Sequence, residues 1–385
     1  MKERNVFIIG SNGIPAKYGG FETFVENLTA KRVSNNIKYH VACIGSDNSE
    51  FEYNNSRCFN IKVPNIGPAK AEYYDLVALE KTIKYIKKNH IEKPIVYILG
   101  TGVGLFIGFY KNRLHKLGAK VYVNPDGCEW KRAKWNLILK KFFKVCEGKM
   151  AKHADLLICD AINMEEYIKE EYKKYNPKTE FIAYGSDLEQ TSKVNKLVNW
   201  CLEKHIRRNG YYLIVGRFVP ENNYETMIRE FMKSNTKKDL VIITNVEQNK
   251  FYEELKQKTN FDKDKRIKFV GTVYDDELLT LIRKNAYAYL HGHEVGGTNP
   301  SLLEALATTD LNLLLDVGFN KEVAENGAFY WNKEESNLSK LIEKTEKISK
   351  KEKEIYRENA RNRIKGKYNW QEIVKKYEET FENFV

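Results

Sequence analysis

Residues 291–307 read HGHEVGGTNPSLLEALA and follow the apolar run AYAYL at 286–290. The order is that of a buried strand, a glycine-rich turn, and a helix opening near Pro300 or Ser301. Pro300 suits the first helical turn, where a missing N–H costs nothing, and Asn299 suits the cap. A helix start offers unpaired N–H groups and a partial positive charge. The turn residues Gly296, Gly297, Thr298 and Asn299, with Ser301 and Leu302 in the first helical turn, can therefore bring main-chain amides to a phosphate or sugar. Glu304 lies one turn further on, among Leu302, Leu303, Ala305, Leu306 and Ala307. An acid in so apolar a run wants a partner, for which a ribose diol is suited. The alternative is an ordinary strand-to-helix turn with Glu304 facing solvent.

Outward from this stretch, strand-like and helical patterns alternate along the chain. Strands are expected at 5–10, 37–45, 94–100, 119–124, 155–159 and 179–185, with helices over 21–34, 73–90, 104–117, 135–153 and 163–175. Residues 186–210, polar and strandless, read as a linker. The alternation restarts with strands at 211–216, 241–244, 267–271, 286–290 and 311–315, and residues 334–385 read as helices. This is an α/β chain of two Rossmann-like, doubly wound domains, 1–190 and 191–369, with a terminal helix at 370–385 expected to return to the first. Ligands of such sheets bind outside the carboxyl ends of the strands, so a cleft between the two is the expected site.

At 385 residues the chain exceeds what one hydrophobic core usually organises. Its hydrophobic content of 42% excludes a disordered chain, and a net charge of +12 favours anionic partners. No signal-peptide pattern precedes the first strand, which implies a cytoplasmic location. The longest uncharged run, 94–110, carries four glycines and reads as strand, loop and helix start rather than a membrane span. Six cysteines show no metal-ligand spacing, so free buried thiols are expected.

The first turn, SNGIPAKYGGFETFVENL at 11–28, is long and lacks the dinucleotide fingerprint. Gly19 and Gly20 at the mouth of a helix would let amides approach an anion, with Glu22 in the first turn; a plain loop is the competing reading. Asp126 and Glu129 follow the strand at 119–124, and Asp160 follows that at 155–159. Acids at strand ends are candidates for binding an acceptor hydroxyl and guiding its proton. Asp160 as a helix cap and Asp126 as a turn residue compete with that reading. The segment 130–152, WKRAKWNLILKKFFKVCEGKMAK, has eight Lys or Arg and one acid among aromatic and aliphatic residues. As a helix it would set Leu137, Ile138, Phe142 and Val145 on one side, the pattern of a helix lying on an anionic membrane; a core-facing helix with a solvated basic back is the alternative.

Four motifs in order, SNGIPAKYGGFETFVENL, NPDGCEWKRAKW at 124–135, VGRFVPENNYE at 215–225 and GHEVGGTNPSLLEALA at 292–307, resemble bacterial rhamnosyltransferases of polysaccharide assembly. These are retaining GT-B glycosyltransferases, and the first half resembles the N-terminal domain of β-1,4-rhamnosyltransferases. The resemblance implies an acceptor-binding first domain and a nucleotide-sugar donor site in the second. It places Arg217 on the donor diphosphate and Glu304 on the ribose. Many relatives carry a Lys five residues after that Arg, where this chain has Asn222. They also carry two glutamates separated by seven residues, whereas Glu294 and Glu304 are separated by nine. The implied reaction moves a hexosyl group, most simply L-rhamnose from dTDP-rhamnose, onto a polyprenyl-diphosphate saccharide at the inner face of the plasma membrane. No metal is expected, since the lone Asp-x-Asp, Asp262-Lys263-Asp264, lies in a lysine-rich loop. A UDP-sugar donor, a nucleotide-sugar epimerase and a nucleic-acid binder are the other classes; the last lacks any recognised module.

Overall fold

The chain is described from a computed structural model over residues 3–17, 19–132, 135–188, 194–246 and 250–384. Tyr18, Ala133 and Lys134 of the quoted motifs lie outside the described residues, as do 189–193 of the expected linker. The chain divides into two units, Met1–Gly185 with Trp370–Val385, and Ser186–Asn369.

The first unit carries strands β1 (Arg4–Ile9), β2 (Ile37–Gly45), β3 (Glu50–Tyr53), β4 (Ser56–Lys62), β5 (Ile95–Leu99), β6 (Lys120–Asn124), β7 (Leu156–Cys159) and β8 (Thr179–Phe181). Its helices are α1 (Gly20–Ala30), α2 (Lys70–Lys88), α3 (Gly104–His115), α4 (Leu137–His153) and α5 (Ile162–Glu171). The sheet order is β3-β4-β2-β1-β5-β6-β7-β8, parallel except for the β3–β4 hairpin. Central strands such as β5 are buried throughout, because helices cover both faces of a parallel sheet. The hairpin departs from the expected alternation. Asn54 and Asn55 both sit at positive φ (50° and 51°), the two-residue turn that matches strand twist.

The second unit contains α6 (Val194–Glu203), β9 (Tyr211–Val215), α7 (Tyr224–Lys233), β10 (Asp239–Ile243), α8 (Lys250–Thr259), β11 (Ile267–Gly271) and α9 (Asp276–Lys284). It continues with β12 (Ala288–His291), α10 (Pro300–Thr308), β13 (Asn312–Leu315), α11 (Gly318–Ala324), β14 (Phe329–Trp331), α12 (Asn337–Thr345) and α13 (Lys350–Lys367). The order β11-β10-β9-β12-β13-β14 is wholly parallel. Two elements were not expected. Helix α6 occupies the supposed linker because Leu197, Trp200 and Cys201 join the core under β9 and β10. The short β14 is built on Phe329 and Trp331, whose rings cover β13.

Helix α14 (Trp370–Asn383) belongs to the first unit. Its Tyr377 and Phe381 are fully buried against Phe24, Tyr39, Tyr97 and Tyr122. Glu378 ties the same helix to the loop after α1, accepting from the Val33 and Ser34 amides at 3.1 and 2.7 Å. Phe381→Ala is expected to destabilise the first unit by about 3–5 kcal/mol, the cost of deleting a fully buried ring. Chemical denaturation should show that unit's transition moving to lower denaturant while the other stays in place; an unmoved midpoint would contradict this packing.

Candidate functional site

The second unit's site is built where β9 and β12, neighbours in the sheet, end together. After β9 come Gly216 and Arg217, then a 3₁₀ turn (Pro220–Asn222) and the N-cap of α7, Asn223, at φ 55°. After β12 comes the loop from Gly292 into α10. Two asparagine side chains join these loops. Asn222 donates Nδ2 to the Arg217 carbonyl at 2.7 Å and meets His293 Nδ1 with its oxygen at 2.9 Å. Asn223 Nδ2 donates to the Gly292 carbonyl at 2.8 Å and to Glu294 at 3.2 Å. The loops run so close that a Cβ on Gly292 would lie 2.4 Å from the Asn222 carbonyl oxygen, which only glycine avoids. Both ends of the Asn222 amide are thus engaged inside the protein. The residue expected among the donor contacts is a strut between loops.

Arg217 is exposed, and among the described residues its guanidinium makes no hydrogen bond or ion pair. Glu294, by contrast, is ion-paired: both carboxylate oxygens lie 2.6 Å from Lys333 Nζ, just beyond β14. Lys333 was not anticipated, because no local pattern marks a residue that only the sheet order brings beside the loop.

The helix beyond opens as its sequence requires. Asn299 caps α10, accepting from the Leu302 amide at 3.2 Å, and Pro300 takes the first position. That cap occupies the Leu302 N–H, and the Leu302 side chain is wholly buried, so an anion reaching this amide must displace the cap. Gly296 adopts φ 141°, and Gly297 and Thr298 are buried behind it. Ser301 Oγ lies 3.3 Å from the Val215 carbonyl and 3.1 Å from Tyr289 Oη, which itself donates to Val215 at 3.0 Å. These bonds seat the first turn of α10 on the last residue of β9, two residues before Arg217. Glu304 does not simply face solvent. Its Oε2 lies 2.5 Å from Nη2 of Arg283 on α9, a side chain only 4% exposed.

His291 ends β12, buried, its ring stacked near Tyr289 and tilted against His293, with no hydrogen-bond partner for Nε2 among the described residues. Burial holds its pKa down at about 3 from an ordinary 6.5. It is a neutral wall of the site rather than a cation.

In the first unit the long loop after β1 is held by two acids of α1. Glu22 accepts from the Asn12 amide at 2.6 Å, and Glu26 from the Ala16 amide at 2.9 Å. Gly19 caps α1 at φ 126°, and Glu22 Oε2 would lie 1.9 Å from any Cβ placed there. A buried carboxylate therefore already sits at this helix mouth, and its charge opposes a phosphate at the Gly19 and Gly20 amides.

At the end of β6, Asp126 adopts φ 57° and donates its N–H to Asn124 Oδ1 at 2.8 Å, the turn geometry that competed with a catalytic role. Arg132 draws Asp126 and Glu129 together, at 3.4 and 2.5 Å, and Glu129 also accepts from Trp135 Nε1 at 2.9 Å. Asp160 is buried at the end of β7, directly before Ala161, the N-cap residue at which α5 begins. Tyr184, which the sequence did not single out, lies near both aspartates. Burial first, and the charges of Asp160 and Asp126 second, raise its pKa well above the usual phenol value; Asn124 Nδ2 donates to its oxygen at 3.2 Å.

Helix α4 buries Phe143, Cys146, Met150 and Ala151 and leaves Leu137 and Ile138 outside at 84% and 80% exposure, with Val145 also exposed and Phe142 half-buried. Packed beside it, α3 exposes Leu105, Phe106 and Phe109. The exposed Lys141 and Lys149 lie among them. Among the described residues no helix is long and apolar enough to cross a membrane, and no group of three or more His, Cys, Asp or Glu could hold a metal ion. All six cysteines are buried and free.

Residues 3–187 match the family described as "Domain of unknown function (DUF1972)", and residues 203–363 match "Glycosyl transferases group 1". An uncharacterized glycosyltransferase of Methanocaldococcus jannaschii is 24% identical over 95% of each chain. Among solved structures, sucrose-phosphate synthase from Thermosynechococcus elongatus superposes with a TM-score of 0.79 at 15% identity over 99% of both chains. HepE of Anabaena in complex with UDP does so at 0.71 and 14% identity over 100% of both.

Two histidines held neutral by burial, His291 and His40, make the folded chain less stable in acid. His40, packed on Phe7 in the first unit, is likewise held at about 3 by burial and by Arg57 and Lys38. The unfolded chain takes up a proton near 6.5 and the folded one does not, so stability falls as pH drops from about 6.5 toward 3. Each residue should cost about 2 kcal/mol by pH 5 relative to pH 8. Denaturation measured across that range should lose part of this slope in the second unit with His291→Phe; an unchanged slope would contradict it.

Proposed function

We propose that this chain, a glycosyltransferase of the GT-B fold, transfers L-rhamnose from dTDP-rhamnose to a lipid-linked saccharide in cell-surface polysaccharide assembly. The observation that carries the donor half is Arg217: a guanidinium without a protein partner among the described residues, on the loop that leaves the strand end where the first turn of α10 is seated. A planar fork and a helix N-terminus are complementary to a diphosphate. With a Lys absent at position 222, the cationic part of the grip falls to Arg217. Gly296, Gly297 and Thr298 border the sugar, and Glu304 takes a ribose hydroxyl.

The acceptor belongs to the first unit, with its hydroxyl near Asp126, Glu129 and Asp160. Retention follows a front-face path: the bond from the anomeric carbon to phosphate breaks, the acceptor oxygen bonds on the same face, and its proton passes to the leaving phosphate. Charge on the departing diphosphate is met by Arg217 and the helix terminus, without a metal. A UDP-sugar is the second reading for the donor, favoured by the HepE structures with UDP and UDP-glucose. Transfer from dTDP-rhamnose and UDP-glucose to polyprenyl-diphosphate saccharides, assayed in EDTA, separates the donors. Arg217→Ala is expected to lower turnover at least a hundredfold, and wild-type turnover in that variant, or a strict need for Mg²⁺ or Mn²⁺, would overturn the donor assignment.

The exposed faces of α3 and α4 fit the inner leaflet of the plasma membrane, apolar side chains entering the headgroup boundary and lysines meeting anionic lipid. The enzyme on this reading is cytoplasmic and peripheral. Leu137→Glu with Ile138→Glu should reduce sedimentation with phosphatidylserine-containing vesicles at least tenfold, and salt should weaken wild-type binding. Undiminished sedimentation of the double variant would remove the patch from membrane contact.

A further inference from the structure

We infer that Arg283 is the positioning residue that sets the Glu304 carboxylate for a nucleotide's ribose. The inference rests on the ribose assignment of Glu304 above, and it adds a residue that no local motif marks. Arg283 lies on α9 with its side chain almost wholly buried. Its Nη2 reaches two residues of α10 at once, Glu304 Oε2 at 2.5 Å and Ser301 Oγ at 3.2 Å. Its own carbonyl accepts from Thr309 Oγ1 at 3.0 Å, just past the end of α10. Arg283 is therefore tied to that helix at both ends, while its Nε has no partner among the described residues.

A guanidinium cannot shed its charge, and a buried one requires a fixed counter-charge. Glu304 supplies it with one oxygen only. The carboxylate is more than a third exposed, and among the described residues its Oε1 accepts no hydrogen bond. An Oε2 pinned from behind and an Oε1 left without a partner make a rigid acceptor for a hydroxyl of the nucleotide's sugar. Without Arg283, the carboxylate would rotate among rotamers, and binding would have to order it. The arrangement also bears on nucleotide choice, because the ribose of a UDP-sugar offers two hydroxyl donors to that oxygen edge and the 2′-deoxyribose of dTDP only its 3′-hydroxyl, so a UDP-sugar gains more from it.

The test is a double-variant cycle on the full chain, read by calorimetric titration of UDP, 2′-deoxyuridine diphosphate and inorganic pyrophosphate. Arg283→Met and Glu304→Ala should each weaken UDP at least tenfold, and the combined variant should be no weaker than either alone. Pyrophosphate, which has no ribose, should bind all variants alike, and the loss should be smaller for the deoxy nucleotide. Arg283→Lys, which keeps a charge but not the fork, should recover part of the UDP affinity and serves if the Met variant fails to fold. Additive losses, or a full effect in Glu304→Ala with none in the Arg283 variants, would overturn the role of Arg283 alone. Unchanged UDP affinity in Glu304→Ala would overturn the ribose assignment and this inference with it. Equal losses for UDP and pyrophosphate in Arg283→Met would mark a general structural role and overturn it as well.

Discussion

The seating of one helix terminus on one strand end governs the second unit's chemistry. Ser301 and Tyr289 both reach the Val215 carbonyl, so the first turn of α10 cannot slide relative to β9. Because Arg217 is only two residues beyond Val215, the same bonds tie its main chain to the start of α10. The asparagine struts do the rest, holding the loop after β12 against the loop after β9 from the other side. A site that must grip a flexible diphosphate is better built from such fixed parts than from long side chains, since little order has to be imposed when the ligand arrives.

Charge is allotted unevenly across the candidate residues. Glu294, Glu129 and Asp126 are each met by a cation, Lys333 or Arg132, and Glu304 by Arg283. Glu22 brings negative charge to the mouth of α1, where an anion had been expected. Arg217 stands apart from this pattern. Among the candidate residues of the second unit it is a cation left without a carboxylate among the described residues. His291 at the end of β12, held neutral by burial, adds no charge there.

Much of the architecture could be read from the residues because it is written in short-range pattern. The parallel strands are continuous apolar runs, and the Asn299–Pro300 start of α10 is a cap whose chemistry is local. The elements that escaped notice are those whose signal is weak or borrowed from elsewhere. The β3–β4 hairpin carries its sign in Asn54 and Asn55, a turn pair easily passed over between two unequal strands. Helix α6 is a short amphipathic segment between polar flanks, burying Leu197, Trp200 and Cys201 among its described residues, and β14 is three residues long.

By itself the sequence determined the alternation of strand and helix, the two sheets, the glycine-rich turn, its cap and the residues offered to a ligand. These depend on contacts within a few residues or on burial of one face, which any chain of this pattern must satisfy. Only the tertiary structure decided which offered groups are committed. Asn222 became a strut, Glu294 met Lys333, Glu304 met Arg283, and Glu22 met the Asn12 amide. Apart from the Arg217 carbonyl, five residues from Asn222, each partner lies ten or more residues away and arrives through the sheet order or the return of a loop. A side chain's pairing is set by what folding brings within about 3 Å of it, and sequence spacing carries little of that information.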